Sequence, residues 1–329
     1  MTDTYLNNPS FELGTDGTPK STGKGFFAPY QWTTQNLPSS GTKNFGIYSK
    51  DETSNTHPGA FGVTVTPDDG DYYFFGRESW AGSFDVITLS QDSKTSLPAG
   101  KYLMSISYKL ATKSNTSNGY VEISAKEGSN TLGTAKSSNA TRNSDMNTTP
   151  WDKLSVPFEV TEEGAVTFSI DMHFNPQKVN VLQEAIAIDN VKIYDLSKAS
   201  KDVGVDLSGL VTNQNFNQST EGWTSTTGAQ NKALATNKGD AFIVPFYENW
   251  NGKAMTGKMY TTVNNLPNGI YSVGIAAFVN TLGDAGTQYV YAGDNKVNVT
   301  STTPTAYTIE NVNVTNGTLE LGLEQTAAT

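Results

Sequence analysis

Two acids sit far apart in the chain, and each lies next to apolar sequence. Glu12 closes the segment Asn8-Pro9-Ser10-Phe11-Glu12, and Asp189 interrupts the apolar run AIAIDNVKIYDL at residues 185–196. A carboxylate inside an apolar strand is costly without a partner. Hard cations take carboxylate and carbonyl oxygens, and a cation joining a first and a last strand would clamp a domain. Glu12 and Asp189, with Ser10 contributing, are therefore the candidate calcium ligands. The competing reading is a hydrogen-bonded acid that caps a turn, with Asn190 facing outward.

Aromatic residues beside amides and charges form the second set. A flat apolar ring flanked by a few placed polar groups suits a sugar, whose C–H face stacks while its hydroxyls need partners. Trp80 stands in Arg77-Glu78-Ser79-Trp80-Ala81-Gly82, and Trp151 follows a polar loop and Pro150. Tyr247, Asn249 and Trp250 share the segment Phe246-Tyr247-Glu248-Asn249-Trp250-Asn251, and Tyr30 lies in a long Gly/Thr/Lys loop. Large aromatics more often fill cores. Trp32 and Trp223 are assigned there because they recur at equivalent positions.

Catalysis has little to draw on. The chain has 2 histidines, His57 and His173, both read as surface residues, and no cysteine. Thiol nucleophiles, disulfides and Cys-based metal sites are excluded. No G-x-S-x-G elbow, Walker motif or dinucleotide fingerprint occurs. Acids are plentiful, but two small sandwiches offer no obvious deep cleft for a glycosidase pair. A formal charge of −10 argues against a nucleic-acid partner, and no apolar run approaches the ~20 residues of a membrane-spanning helix.

The elements that must position these residues read as short strands. The chain has 329 residues, 16% charged, with Tyr and Phe at 15 each and Gly at 30. That balance suits all-β modules. Residues 1–12 read as a first strand. In Asp71-Tyr72-Tyr73-Phe74-Phe75-Gly76-Arg77, alternation puts Tyr73, Phe75 and Arg77 on one face and Tyr72 and Phe74 on the other. The run at 185–196 closes the unit as a buried strand.

After a small polar linker at 197–205 the pattern restarts. Residues 211–217 align with 6–12, Gly222-Trp223-Thr224 with Gln31-Trp32-Thr33, 266–271 with 97–102, and 315–319 with 162–167. This is a divergent tandem repeat of a roughly 150-residue unit, not a solenoid. Asn217 stands where Glu12 stood, which removes a carboxylate. The second unit has no counterpart of AIAIDNVKIYDL, so the natural chain is expected to continue or the second unit to borrow an edge strand. Met1-Thr2-Asp3 runs straight into the first unit without a signal peptide and reads as the start of an internal or trimmed fragment.

The opening NPSFE, the following Trp32 and the closing IDNVKIYD resemble the galactose-binding-like jelly rolls, including carbohydrate-binding modules of families 4, 9, 22 and 35. The resemblance covers residues 3–196 and recurs, eroded, from 206 onward. It implies an all-β protein of two tandem β-sandwiches, 1–200 and 201–329, the second lacking its final strand. It also implies a structural calcium in the first domain and a non-catalytic polysaccharide- or oligosaccharide-binding role. The setting it implies is extracellular or on a bacterial surface, in a glycan-utilisation protein with further domains possible. The alternative is a β-sandwich spacer of an adhesin or stalk, with no sugar site.

Overall fold

The apolar run after residue 183 forms a central strand. The computed structural model describes residues 5–19, 27–36, 44–50, 65–78, 86–112, 119–140, 150–174, 184–200, 202–217, 220–226, 230–232, 246–248, 256–279 and 287–326. In it β10 (Glu184–Asp195) pairs antiparallel with both β3 (Tyr72–Glu78) and β5 (Gly100–Thr112). With β2 (Asn44–Ser49) and β8 (Asp152–Val160) they make a sheet of order β2-β3-β10-β5-β8. A second sheet, of order β1-β4-β9-β6-β7, contains β1 (Thr33–Gln35), β4 (Val86–Asp92), β6 (Tyr120–Glu127), β7 (Asn130–Lys136) and β9 (Thr167–His173).

The core lies between the two sheets. Phe74, Met104, Ile106, Ile186, Ile188 and Phe158 from the first sheet pack with Leu89, Ile123, Phe168 and Ile170 from the second. In β10 the inward positions switch from 186 and 188 to 191 and 193. The switch follows from a register shift between Asp189 and Lys192, with Asn190 at φ 52. One extra residue in a strand reverses which side chains face inward, and Asn tolerates this left-handed conformation better than most residues.

Residues 5–12, the described part of the opening segment, do not form the expected strand. Asn8 and Phe11 have φ of 48 and 54, and the Asn8 side chain folds the segment by accepting from Leu13 N and donating to Leu13 O, both at 2.9 Å. Local side-chain hydrogen bonding outcompetes extended pairing here. The expected neighbour relation holds nevertheless, because Val191 N donates to Pro9 O at 3.0 Å.

The second unit repeats the second sheet strand for strand. Its order is β11-β14-β19-β16-β17, from β11 (Thr224–Ser225), β14 (Gly257–Asn264), β16 (Thr287–Ala292), β17 (Asn295–Asn298) and β19 (Thr318–Thr326). The other sheet is split in two. β12 (Gln230–Lys232) pairs with β13 (Phe246–Glu248), and β15 (Gly269–Ala277) pairs with β18 (Thr305–Val314). Among the described residues no strand joins the two pairs, which is the place β10 fills in the first unit. The described residues thus form two β-sandwiches, and among them the second unit has no strand in the place of β10.

Candidate functional site

Asp189 and Glu12 hold the two ends of one turn. Asp189 Oδ2 accepts from the backbone N–H of Asp68 at 2.8 Å and of Asp69 at 3.1 Å, and its Oδ1 accepts from Asn190 N at 2.7 Å. Glu12 Oε1 accepts from Asp71 N and Tyr72 N, both at 3.1 Å. Gly70, at φ +68, lies under the carboxylate: a Cβ there would stand 2.2 Å from Glu12 Oε1. Ser10 Oγ donates to Asp69 Oδ2, and Ser107 Oγ and Asn190 Nδ2 donate to Asp68 Oδ2.

The electrostatics of this turn follow from burial among acids. Burial, with the charge of Asp68 adding to it and backbone N–H bonds opposing it, pushes the Asp189 carboxyl up to about 8. Glu12 is raised by burial and by the nearby charges of Asp71 and Asp69, against the N–H bonds of Tyr72 and Asp71. The donor set is all oxygen, which suits a hard cation in kind. The N–H bonds to both carboxylates are also those of an acid-capped turn. Asn190 does not face outward as that reading expected; it is buried and bonded to Asp68.

The aromatic face is built by strand order. The side of β2-β3-β10-β5-β8 turned away from the core between the sheets carries Tyr48, Tyr73, Phe75, Ala111, Ala185 and Ala187, which with Val65 form a second buried apolar cluster, and the half-buried Trp151 packs against it. Tyr73, Phe75 and Arg77 share this side and Phe74 the other, as alternation predicts. Tyr73 meets the Trp151 ring edge-on at 6.4 Å, and Tyr48 meets Phe75 at 5.6 Å. The Lys109 ammonium stands 5.2 Å from the Trp151 ring centroid, within cation–π range. Trp151 is half-buried and its indole N–H donates to Thr66 O at 2.8 Å; Arg77 and Lys109 are buried. Burial lowers the Arg77 pKa from its ordinary value.

The remaining predicted residues are dispersed. Tyr30 is exposed and lies against Gly17 on the opening loop. Tyr247 is half-buried, with its ring 4.7 Å from Phe216. Trp80, Asn249 and Trp250 lie outside the described residues. The structure thus brings Arg77 and Trp151 to one face and leaves Tyr30 and Tyr247 elsewhere. Sequence reading missed Tyr48 and Lys109 as members of that face. The alternation of β5 was visible, but not which strand would lie beside it.

Asp152 was also missed, and it joins the two units. Asn217 Nδ2 donates to Asp152 Oδ2 at 3.0 Å and to Pro150 O at 3.0 Å, while Asn215 Nδ2 donates to Asp152 Oδ1 at 3.2 Å. Gln214 Nε2 donates to Lys153 O, and Lys153 pairs with Asp206 at 3.1 Å. Gly209 packs so closely on β8 that a Cβ would stand 2.3 Å from Ser155 Oγ. Burial raises the Asp152 carboxyl to about 6 against the two asparagine bonds.

No family model and no curated protein matches the chain. Similar solved structures include a family 61 carbohydrate-binding module in complex with β-1,4-galactotriose, at 17% identity and a TM-score of 0.36, covering 59% of this chain and 99% of that one. A cyclase from Fischerella sp. TAU in complex with 4-(1H-indol-3-yl)butan-2-one stands at 16% and 0.40, covering 59% of this chain and 97% of the cyclase. A xylan-binding domain of carbohydrate-binding family 22 stands at 11% and 0.31, covering 61% of this chain and 100% of the domain.

Proposed function

We propose that the chain binds a neutral polysaccharide without acting on it, and that the aromatic face of the first unit is the site. The observation that supports this reading is chemical: the half-buried Trp151, with the Lys109 ammonium 5.2 Å from its ring centroid, caps a buried aromatic cluster of Tyr48, Tyr73 and Phe75. The outward side of a sandwich sheet is ordinarily polar. A ring stacks on a sugar C–H face, and Trp151 is the ring of this set with open surface. Trp151, the half-buried member, is the point of entry. Hydroxyl bonds exchange largely with water, so a single site sits in the roughly micromolar-to-millimolar range.

Calcium between Glu12 and Asp189 belongs to the same proposal, as a clamp on the 68–72 turn. Its support is the all-oxygen donor set and the burial of Asp189. Extracellular or bacterial cell-surface placement is where such a ligand is met. The burial of Tyr48, Tyr73 and Phe75 favours a second reading, a β-sandwich spacer with no sugar site. Affinity electrophoresis of the whole chain across a broad panel of neutral polysaccharides separates the two. Retardation by at least one polymer is expected, and retardation by none replaces the binding reading with the spacer.

A further inference from the structure

The outward side of the other sheet in the first unit holds a second arrangement of ligand groups. Glu122 on β6 and Asp171 and His173 on β9 offer ligand atoms that all lie within 4.8 Å of one another. The register explains how. Glu122 stands directly opposite Asp171, and Tyr120 directly opposite His173. Like charges directly opposite each other on adjacent strands destabilise a sheet. Thr88 Oγ1 donates to Asp171 Oδ1, which relieves one carboxylate. Lys136 is opposite Glu122 in register, but its ammonium stands over the Tyr120 ring, 3.7 Å from the centroid. Among the described residues no ion pair joins Lys136 to Glu122.

His173 adds an independent observation. It was read from sequence as a surface residue, yet its ring is half-buried and stacks on Tyr120 at 4.1 Å and 13°. Its Nε2 is shut off from solvent without a hydrogen-bond partner. A buried polar atom left unpaired costs free energy, and a metal bond would remove that cost.

We propose that Glu122, Asp171 and His173 bind a divalent transition cation of the zinc type on the outward side of β6 and β9, a site separate from the acidic turn. One imidazole and two carboxylates match zinc, which takes His nitrogen and carboxylate oxygen and often keeps a fourth position open. Calcium prefers six to eight oxygens and is disfavoured by the nitrogen. Tetrahedral bonds of about 2.0–2.2 Å separate ligand atoms by roughly 3.4 Å, so the three groups need to close only slightly. The Tyr120 stack holds the imidazole in place, and the open position takes water. The site does not depend on the polysaccharide reading.

The test is zinc titration of the whole, untagged chain, followed by calorimetry and by NMR of the imidazole rings. Only His57 and His173 are present, so their signals can be assigned by His57→Ala. The expected result is one zinc per chain, movement of the His173 signals alone, and no such movement with calcium. Glu122→Gln and Asp171→Asn, which keep shape and fold, should each weaken zinc by at least the ~10–100-fold seen when a mere outer-shell partner is lost. Unmoved His173 signals at saturating zinc would overturn the proposal, as would affinity unchanged in the Glu122→Gln, Asp171→Asn double variant.

Discussion

β5 and β15 occupy equivalent places in the two units and differ in what lies beside them. Both begin with Gly-X-Tyr after a Leu-Pro turn. The Tyr102 hydroxyl donates to Pro98 O and the Tyr271 hydroxyl to Pro267 O. β5 is flanked by β10 and β8 and is buried along nearly its whole length. Among the described residues β15 pairs with β18 only, and its residues are mostly exposed or half-buried, with Ile270 at 74% exposure. The loss spreads into the core: Tyr271, Val273, Ile275 and Trp223 are only partly buried, whereas Trp32 is at 4%. A single central strand thus decides whether both of its neighbours count as core.

The openings of the two units differ by one functional group. Glu12 accepts N–H bonds from a turn in its own unit, while Asn217 donates to Asp152 in the other. The amide is required there, because a carboxylate would face a buried carboxylate. Asn217→Glu is therefore expected to cost about 3–5 kcal/mol, the range for an uncompensated buried charge. The measurement is denaturant unfolding, with the two units losing their coupling. An effect no larger than that of Glu12→Gln would break the comparison.

The flanking strand should appear directly in core substitutions. Ile188→Ala in β10 is expected to cost about 2–5 kcal/mol as a fully buried truncation. Ile275→Ala in β15, already half-buried, should cost under about 1.5 kcal/mol. Equal losses in chemical denaturation would show that β15 is covered after all.

The acidic turn and the contact between the units each predict a pH dependence. Asp189 and Asp152 are raised to about 8 and about 6 in the fold. A carboxyl raised on folding adds stability that is complete below its unfolded pKa of about 3.9 and is lost as pH rises through the folded value. In chelator, stability from these groups should fall between about pH 4 and pH 8, and Asp189→Asn should remove the part of the fall above about pH 6. Calcium at about 100 times its Kd should add ~2.7 kcal/mol and cancel the Asp189 contribution by holding the carboxylate ionised. Melting indifferent to chelator and to Asp189→Asn would remove the calcium proposal. The smallest effect tests sameness: Tyr102→Phe and Tyr271→Phe should each cost about 0.5–1.5 kcal/mol, and a cost at only one position would deny the equivalence of the two turns.

What was legible in the sequence was local or repeated. Apolar positions 186 and 188 followed by 191 and 193 already spell the bulge, because strand alternation admits one extra residue there. The repeat of Asn8, Phe11 and Trp32 as Asn213, Phe216 and Trp223 carries into geometry. Both phenylalanines have positive φ, and both indoles donate to the carbonyl of the equivalent asparagine. Residues 1–12 read as a strand, and their described part, 5–12, is instead a turn, because the Asn8 carboxamide bonds that fold it have no periodicity to betray them. Tyr48, Lys109 and Trp151 come from three segments that only strand order places together, and Asn217 meets Asp152 only once two units dock. Such contacts depend on topology, which no window of sequence contains.

The central claim is that polymer binding resides on the aromatic face of the first unit. Its most direct test is calorimetric titration of a polysaccharide that retards the chain into wild type, Lys109→Met, Trp151→Ala and Trp223→Ala, with melting curves for each. The account predicts that Lys109→Met and Trp151→Ala, while still folded, weaken binding at least ~10-fold, about 1.4 kcal/mol, and that Trp223→Ala leaves it unchanged. Wild-type affinity in folded Lys109→Met and Trp151→Ala would contradict it.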